Sequence, residues 1–117
     1  MAQWIRQNLG LESVRNDSIN IDIIIKDSVG VDIPAALITS ARCQVRQSRS
    51  SAIVYEFTTA NGKMTITDGN INLAEDPINT NTEGGAYTYD IEFTLSTGLV
   101  VSAIAGQWSV IDDITHD

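Results

Sequence analysis

Cysteine, histidine, proline and aromatic residues are all scarce in this 117-residue sequence, and basic residues stop at Lys63. The single cysteine, Cys43, excludes an intrachain disulfide, so nothing in the composition asks for oxidative folding. The single histidine, His116, stands next to the last residue, which leaves no general base beside a nucleophile and argues against a catalytic triad. Aromatic residues make up 6% of the chain, too few for a stacking platform that would grip a sugar. Gly84 and Gly85 stand alone, so no glycine-rich phosphate loop leads from a strand into a helix. Seven bases and six acids lie within the stretch ending at Lys63, whereas nine acids and no base follow it, and the net charge is −8. A surface this acidic repels a phosphate backbone and an anionic bilayer, so neither nucleic acid nor membrane is an expected partner. No apolar run approaches a membrane span, and "MAQWIRQNLG" lacks the apolar core of a signal peptide; the expectation is a soluble protein made in a cytoplasm. No cofactor and no small-molecule substrate is expected.

What is present is a period of two. In "SINIDIIIK" the side chains of Ile19, Ile21, Ile23 and Ile25 share one face against Asn20, Asp22, Ile24 and Lys26, the alternation of a half-buried strand. Pro34 bars a central strand over "VDIPAAL", after which Ala41, Cys43 and Val45 alternate with Arg42, Gln44 and Arg46. "AIVYEFTT", "KMTIT" and "NINL" are short β-rich runs separated by Asn61-Gly62 and Asp68-Gly69, dipeptides that suit tight hairpins, and a three-strand meander is expected there. "AEDPINTNTEGG" is too long and polar for a tight turn and is expected to be a mobile loop. Tyr87, Tyr89, Ile91, Phe93 and Leu95 then share a face, "STG" turns the chain, and Gly106 precedes a last short strand with Trp108 and Val110. About seven to eight short strands at turn spacing, with no central helix, predict an all-β fold, an antiparallel β-sandwich. Residues 1–17 keep no strand alternation and read as an extended N-terminal arm, with the sandwich over 18–117.

Candidate chemistry is thin. Arg42 and Arg46 neighbour Cys43 in sequence but fall on the opposite face of its strand, so the thiol reads as a core residue. Asp68, Asn70 and Asn72 have calcium-loop spacing, but Leu73 stands where glycine is needed and Asn79 where a bidentate glutamate should be. Asp112, Asp113, His116 and Asp117 crowd the C-terminus, and no metal site is assigned there. Glu56, Asp90 and Glu92 supply carboxylates for glycoside chemistry, yet Asp90 and Glu92 sit on the polar face of their strand. The expectation is a protein that is not an enzyme. Contacts with partners are expected instead from Trp4, Ile5 and Leu9, apolar anchors on the arm, and from Arg46 and Arg49 in "RQSRSS", the one basic spot, which would meet an acidic neighbour or the acidic half of an identical subunit in a ring or lattice.

One ordered set of segments carries a resemblance. A Trp-bearing arm is followed by "KDSVGVDIP", "ARCQVRQS", "IVYEFTT", a polar loop, "GAYTYDIEF" and "STGLVVSAIAGQWSVIDDITHD". This resembles small tail-associated structural proteins of bacteriophages and the immunoglobulin-like N-terminal domains of upper baseplate proteins. In that pattern "G-x-Y-x-Y-D" precedes a hairpin and "G-x-W/F-x-V" ends the domain; the matching residues are Gly85, Tyr87, Tyr89, Asp90, Gly106, Trp108 and Val110. The resemblance implies an immunoglobulin-like sandwich and a virion component of the tail, baseplate or fibre adaptor that contacts other virion proteins. A capsid decoration (cement) protein, or a carbohydrate-binding module using the loop from Ala74 to Gly84, are the alternatives.

Overall fold

A computed structural model describes residues 7–112. Its strands are β1 (Gln7–Asn8), β2 (Leu11–Val14), β3 (Ile19–Ile24), β4 (Ile38–Arg46), β5 (Ile53–Thr58), β6 (Met64–Thr67), β7 (Asn70–Glu75), β8 (Gly85–Leu95) and β9 (Val100–Ile111). The larger sheet runs β9, β8, β4, β5, with β1 and β2 laid one after the other along the outside of β9; the smaller sheet runs β3, β7, β6. The strands pair antiparallel except where β1 and β2 run parallel to β9. The two sheets bury one core between them, and the fold is an immunoglobulin-like β-sandwich.

The alternating faces read from the sequence are the buried faces. Ile19, Ile23 and Ile25 from one sheet meet Ala41, Cys43, Val45, Tyr87, Tyr89, Ile91, Phe93 and Leu95 from the other. Trp108 is at the centre with no exposed surface. Phe57 stacks on its indole at 5.7 Å, Tyr55 is tilted against it at 6.0 Å, and Tyr89 meets it edge-on at 5.9 Å. A buried indole N–H needs an acceptor, and Ser13 Oγ supplies it at 2.9 Å. The expected arm is therefore in part a strand. Of its two inward positions Leu11 packs partly buried against the core, while the buried one is Ser13, which bonds the indole, and a serine there hides the period of two that apolar residues would have shown. Tyr87 adds an immunoglobulin-like corner: its hydroxyl donates to Glu83 O, four residues upstream, at 2.6 Å.

Three further expectations are corrected. β5 does not hairpin with β6 but stays in the larger sheet, and the chain crosses to the smaller one at Asn61-Gly62. Asn61 is kept for its side chain, which accepts from Thr58 N–H at 3.0 Å and donates to Glu56 O at 3.1 Å, filling the free edge of β5 as a neighbouring strand would. Gly106 does not begin a separate strand, because β9 continues through it opposite Tyr89. The polar loop after β7 is pinned: Thr80 is fully buried, its hydroxyl donates to Asp17 O at 2.7 Å, and its carbonyl accepts from Asn16 N–H at 3.1 Å. Gly84 ends that loop: Asp112 Oδ1 accepts its N–H at 3.0 Å, and a Cβ there would lie 2.7 Å from the Asp112 carboxyl carbon, so the Asp112 side chain would have to swing aside.

Trp108→Ala should cost about 3–5 kcal/mol in chemical denaturation. Ser13→Ala should cost about 1–3 kcal/mol through the unsatisfied indole N–H alone, a loss that Ser13→Thr would recover if the hydroxyl is what matters.

Candidate assembly surface

The outer face of the larger sheet is built in rows. Register places Thr58, Arg42, Glu92 and Ser102 side by side, then Glu56, Gln44, Asp90 and Ala105, while Arg46, Thr88 and Gln107 make a third row. Within them Arg42 pairs with Glu92 at 3.2 Å, Gln44 donates to Glu56 at 2.8 Å, and Arg46 donates to Gln44 Oε1 at 3.0 Å. Beside these long side chains Ala105 and Gly106 are short, and a depression of about 640 Å³ opens there, reaching from Arg46 and Arg49 across Asp90 to Ser102.

The two arginines have different duties. Arg46 is half-buried, and a second donor of its guanidinium reaches Ser51 O at 2.6 Å, so it braces the turn between β4 and β5. Arg49, exposed on that turn, has no ion pair among the described residues, and neither has Asp90. The depression thus offers one free cation and one free anion to a polar partner. Leu9 is half-buried against the core, with its carbonyl accepting from Tyr89 O–H at 2.9 Å; it anchors the chain to its own sandwich. Trp4 and Ile5 lie outside the described residues.

The residues considered for chemistry are placed apart. Cys43 is fully buried, and burial first, with the nearby Asp90 charge, pushes its thiol far above the usual range. Asp68 accepts from Ala35 N–H at 2.9 Å, whereas Asn70 and Asn72 donate to Asp22 on the outer face of the smaller sheet. Asp112 receives Gly84 N–H and the Arg15 guanidinium; Asp113, His116 and Asp117 lie outside the described residues. Among the described residues no three His, Cys, Asp or Glu side chains gather as metal ligands, and no helix is long and apolar enough to cross a membrane. Tyr87 and Tyr89 are buried, so neither is a platform beside the Ala74–Gly84 loop.

Two residues that sequence reasoning passed over hold this end of the molecule together. Arg15 donates through Nε to Asn81 Oδ1 at 2.7 Å and through a second nitrogen to Asp112 at 3.5 Å, tying the β2–β3 turn to the loop after β7 and to the end of β9. Glu75, nearly buried, takes Lys63 Nζ at 2.6 Å and the donors of Asn79 and Asp76. Neither shows a sequence signal, because each pairs with residues distant along the chain or polar in type.

No family model matches the sequence, and no curated protein matches it. Among solved structures, the fold is similar to CopC from Methylosinus trichosporium OB3b, at 12% identity and a TM-score of 0.53 over 96% of this chain and 95% of that one. Murine CRIg is matched at 10% identity and a TM-score of 0.40 over 89% of this chain and 92% of that one. At such identity the CopC likeness speaks for the immunoglobulin-like fold and for nothing finer.

Burial raises the pKa of Glu75, but the bonds from Lys63, Asn79 and the Asp76 backbone outweigh it and hold the carboxyl below its ordinary value. A carboxylate depressed on folding contributes stability that is complete above the unfolded value of about 4.3 and is lost as pH falls through the folded one. Denaturation midpoints should therefore drop on acidification below about pH 4, and Glu75→Gln should flatten that drop.

Proposed function

We propose that this chain is a non-enzymatic structural component of a bacteriophage virion, placed in the tail or baseplate or as a fibre adaptor, and assembled through protein–protein contacts. The observation that carries the reading is where the motif residues fall. Gly85 pairs with Val110, Tyr87 with Trp108 and Tyr89 with Gly106 across β8 and β9. The two halves of the phage-like pattern are therefore one cross-strand unit around the central tryptophan. The resemblance rests on residues that act together and not on scattered matches. The remaining surface supports a contact role: a polar sheet face on which, among the described residues, Arg49 and Asp90 have no ion pair and no nucleophile and base are assembled.

Other virion proteins are the partners on this reading, and the N-terminal residues Trp4 and Ile5 are the apolar anchors. Arg49 supplies the charged contact. Quantitative mass spectrometry of purified particles tests it, by the copies of this chain per copy of major capsid protein. A low ratio, on the scale of one ring, is expected for the tail or baseplate. Near parity would move the chain to the capsid surface as a decoration protein, and absence from particles would overturn the virion reading. Trp4→Ala should abolish incorporation with the thermal transition of the isolated protein unchanged; loss of that transition would make Trp4 a core residue instead.

A further inference from the structure

The chain carries a net charge of −8, and copies so charged repel one another. One face escapes this. Strands β4, β5, β8 and β9, with the turn between β4 and β5, hold three bases, Arg42, Arg46 and Arg49, against three acids, Glu56, Asp90 and Glu92. The outer face of the larger sheet is neutral in sum, so a second copy approaches it without that repulsion.

Most of these charges are already engaged. Arg42 pairs with Glu92 at 3.2 Å, Arg46 is held by Ser51 O and Gln44, and Glu56 accepts from the Gln44 amide at 2.8 Å. Arg49 and Asp90 are left, both exposed and both without an ion pair among the described residues. They line the same depression of about 640 Å³. Its floor is low because Ala105, paired with Asp90 across β8 and β9, and Gly106 beside it put no long side chain there. Within one molecule the two charges belong to different places: Asp90 is opposite Gln44 on β8, one row further from the turn than the Arg46 and Thr88 pair, whereas Arg49 stands on the turn itself.

We propose that two copies of this chain pack the outer faces of their larger sheets together about a twofold axis that crosses the depression between Arg49 and Asp90. The exposed Arg49 side chain of each copy enters the depression of the other, passes over the short Ala105 and Gly106, and meets the Asp90 carboxylate of the other copy. Symmetry makes this contact twice. The occupant is a second copy because the depression carries its own complement, a long cation at the rim and an anion within. A twofold axis exchanges the two, so one approach of the faces closes both pairs. A partner of a single charge sign would satisfy one group and leave the other unpaired.

This pairing names a second copy as the partner of Arg49 without resting on placement in a virion, and its test uses only the isolated chain. Sedimentation equilibrium of the full-length protein across the micromolar range should show a monomer–dimer equilibrium whose Kd rises with salt, because the contacts are charged. R49D sets carboxylate against carboxylate at both contacts and should raise the Kd about tenfold or more. R49D/D90R exchanges the two groups and should restore the wild-type Kd. Both positions are exposed, so the fold is left intact, which a thermal melt of each variant checks. A wild-type protein that stays monomeric overturns the proposal, as does a dimer that R49D does not weaken or that the exchange does not rescue. Growth past the dimer also overturns it, since a head-to-tail contact would then replace the twofold.

Discussion

The structure depends on one requirement, that a fully buried tryptophan have an acceptor for its N–H. Trp108 sits on β9, whose outer side would otherwise be a sheet edge. Ser13 supplies the acceptor, and to do so the chain before β3 must run beside β9. That single bond explains why part of an apparent arm is built into the sheet. Around the same indole pack Tyr55, Phe57 and Tyr89, which gives a chain with a single cysteine a dense centre to fold on. Tyr89 serves the same purpose from the other side, packing on the indole and bonding the Leu9 carbonyl through its hydroxyl.

How much was legible follows from what each strand needed. β3, β4 and β8 face the core with apolar residues at every second position, so their alternation named both the strands and their buried sides. β2 was illegible because its most deeply buried residue, Ser13, is polar for a reason found only on β9, far along the chain. The crossover at Asn61-Gly62 imitated a hairpin because the same dipeptide suits both; what separates them is the Asn61 amide bonding back to β5, a contact no local pattern announces. The polar loop after β7 looked free because the residue that pins it, Thr80, is polar and its partners lie near residue 17. At the candidate surface the basic spot was legible, but its division of labour was not. Arg46, half-buried on β4, is held by Ser51 O and Gln44, whereas Arg49 stays exposed on the turn.

Edges connect the fold to assembly. An immunoglobulin-like sandwich has more strand ends and edges than a closed barrel, and each must be paired, capped or used. Here β9 is covered by the chain's own β1 and β2, and β5 is capped by an asparagine. On the outer face of the larger sheet the charges left without an ion pair among the described residues are Arg49 and Asp90, groups of the kind that set register more than affinity.

The claim on which this account stands is that β2, through Ser13, is an integral part of the sandwich and not an arm laid against it. Hydrogen exchange of the Trp108 indole N–H, followed by NMR in increasing sub-denaturing concentrations of denaturant, tests that directly. The account predicts that this proton exchanges only through global unfolding, with the same steep denaturant dependence as the most protected amides of β8. Exchange through a shallow, local opening would contradict it, because β2 would then leave β9 while the rest of the sandwich stayed folded.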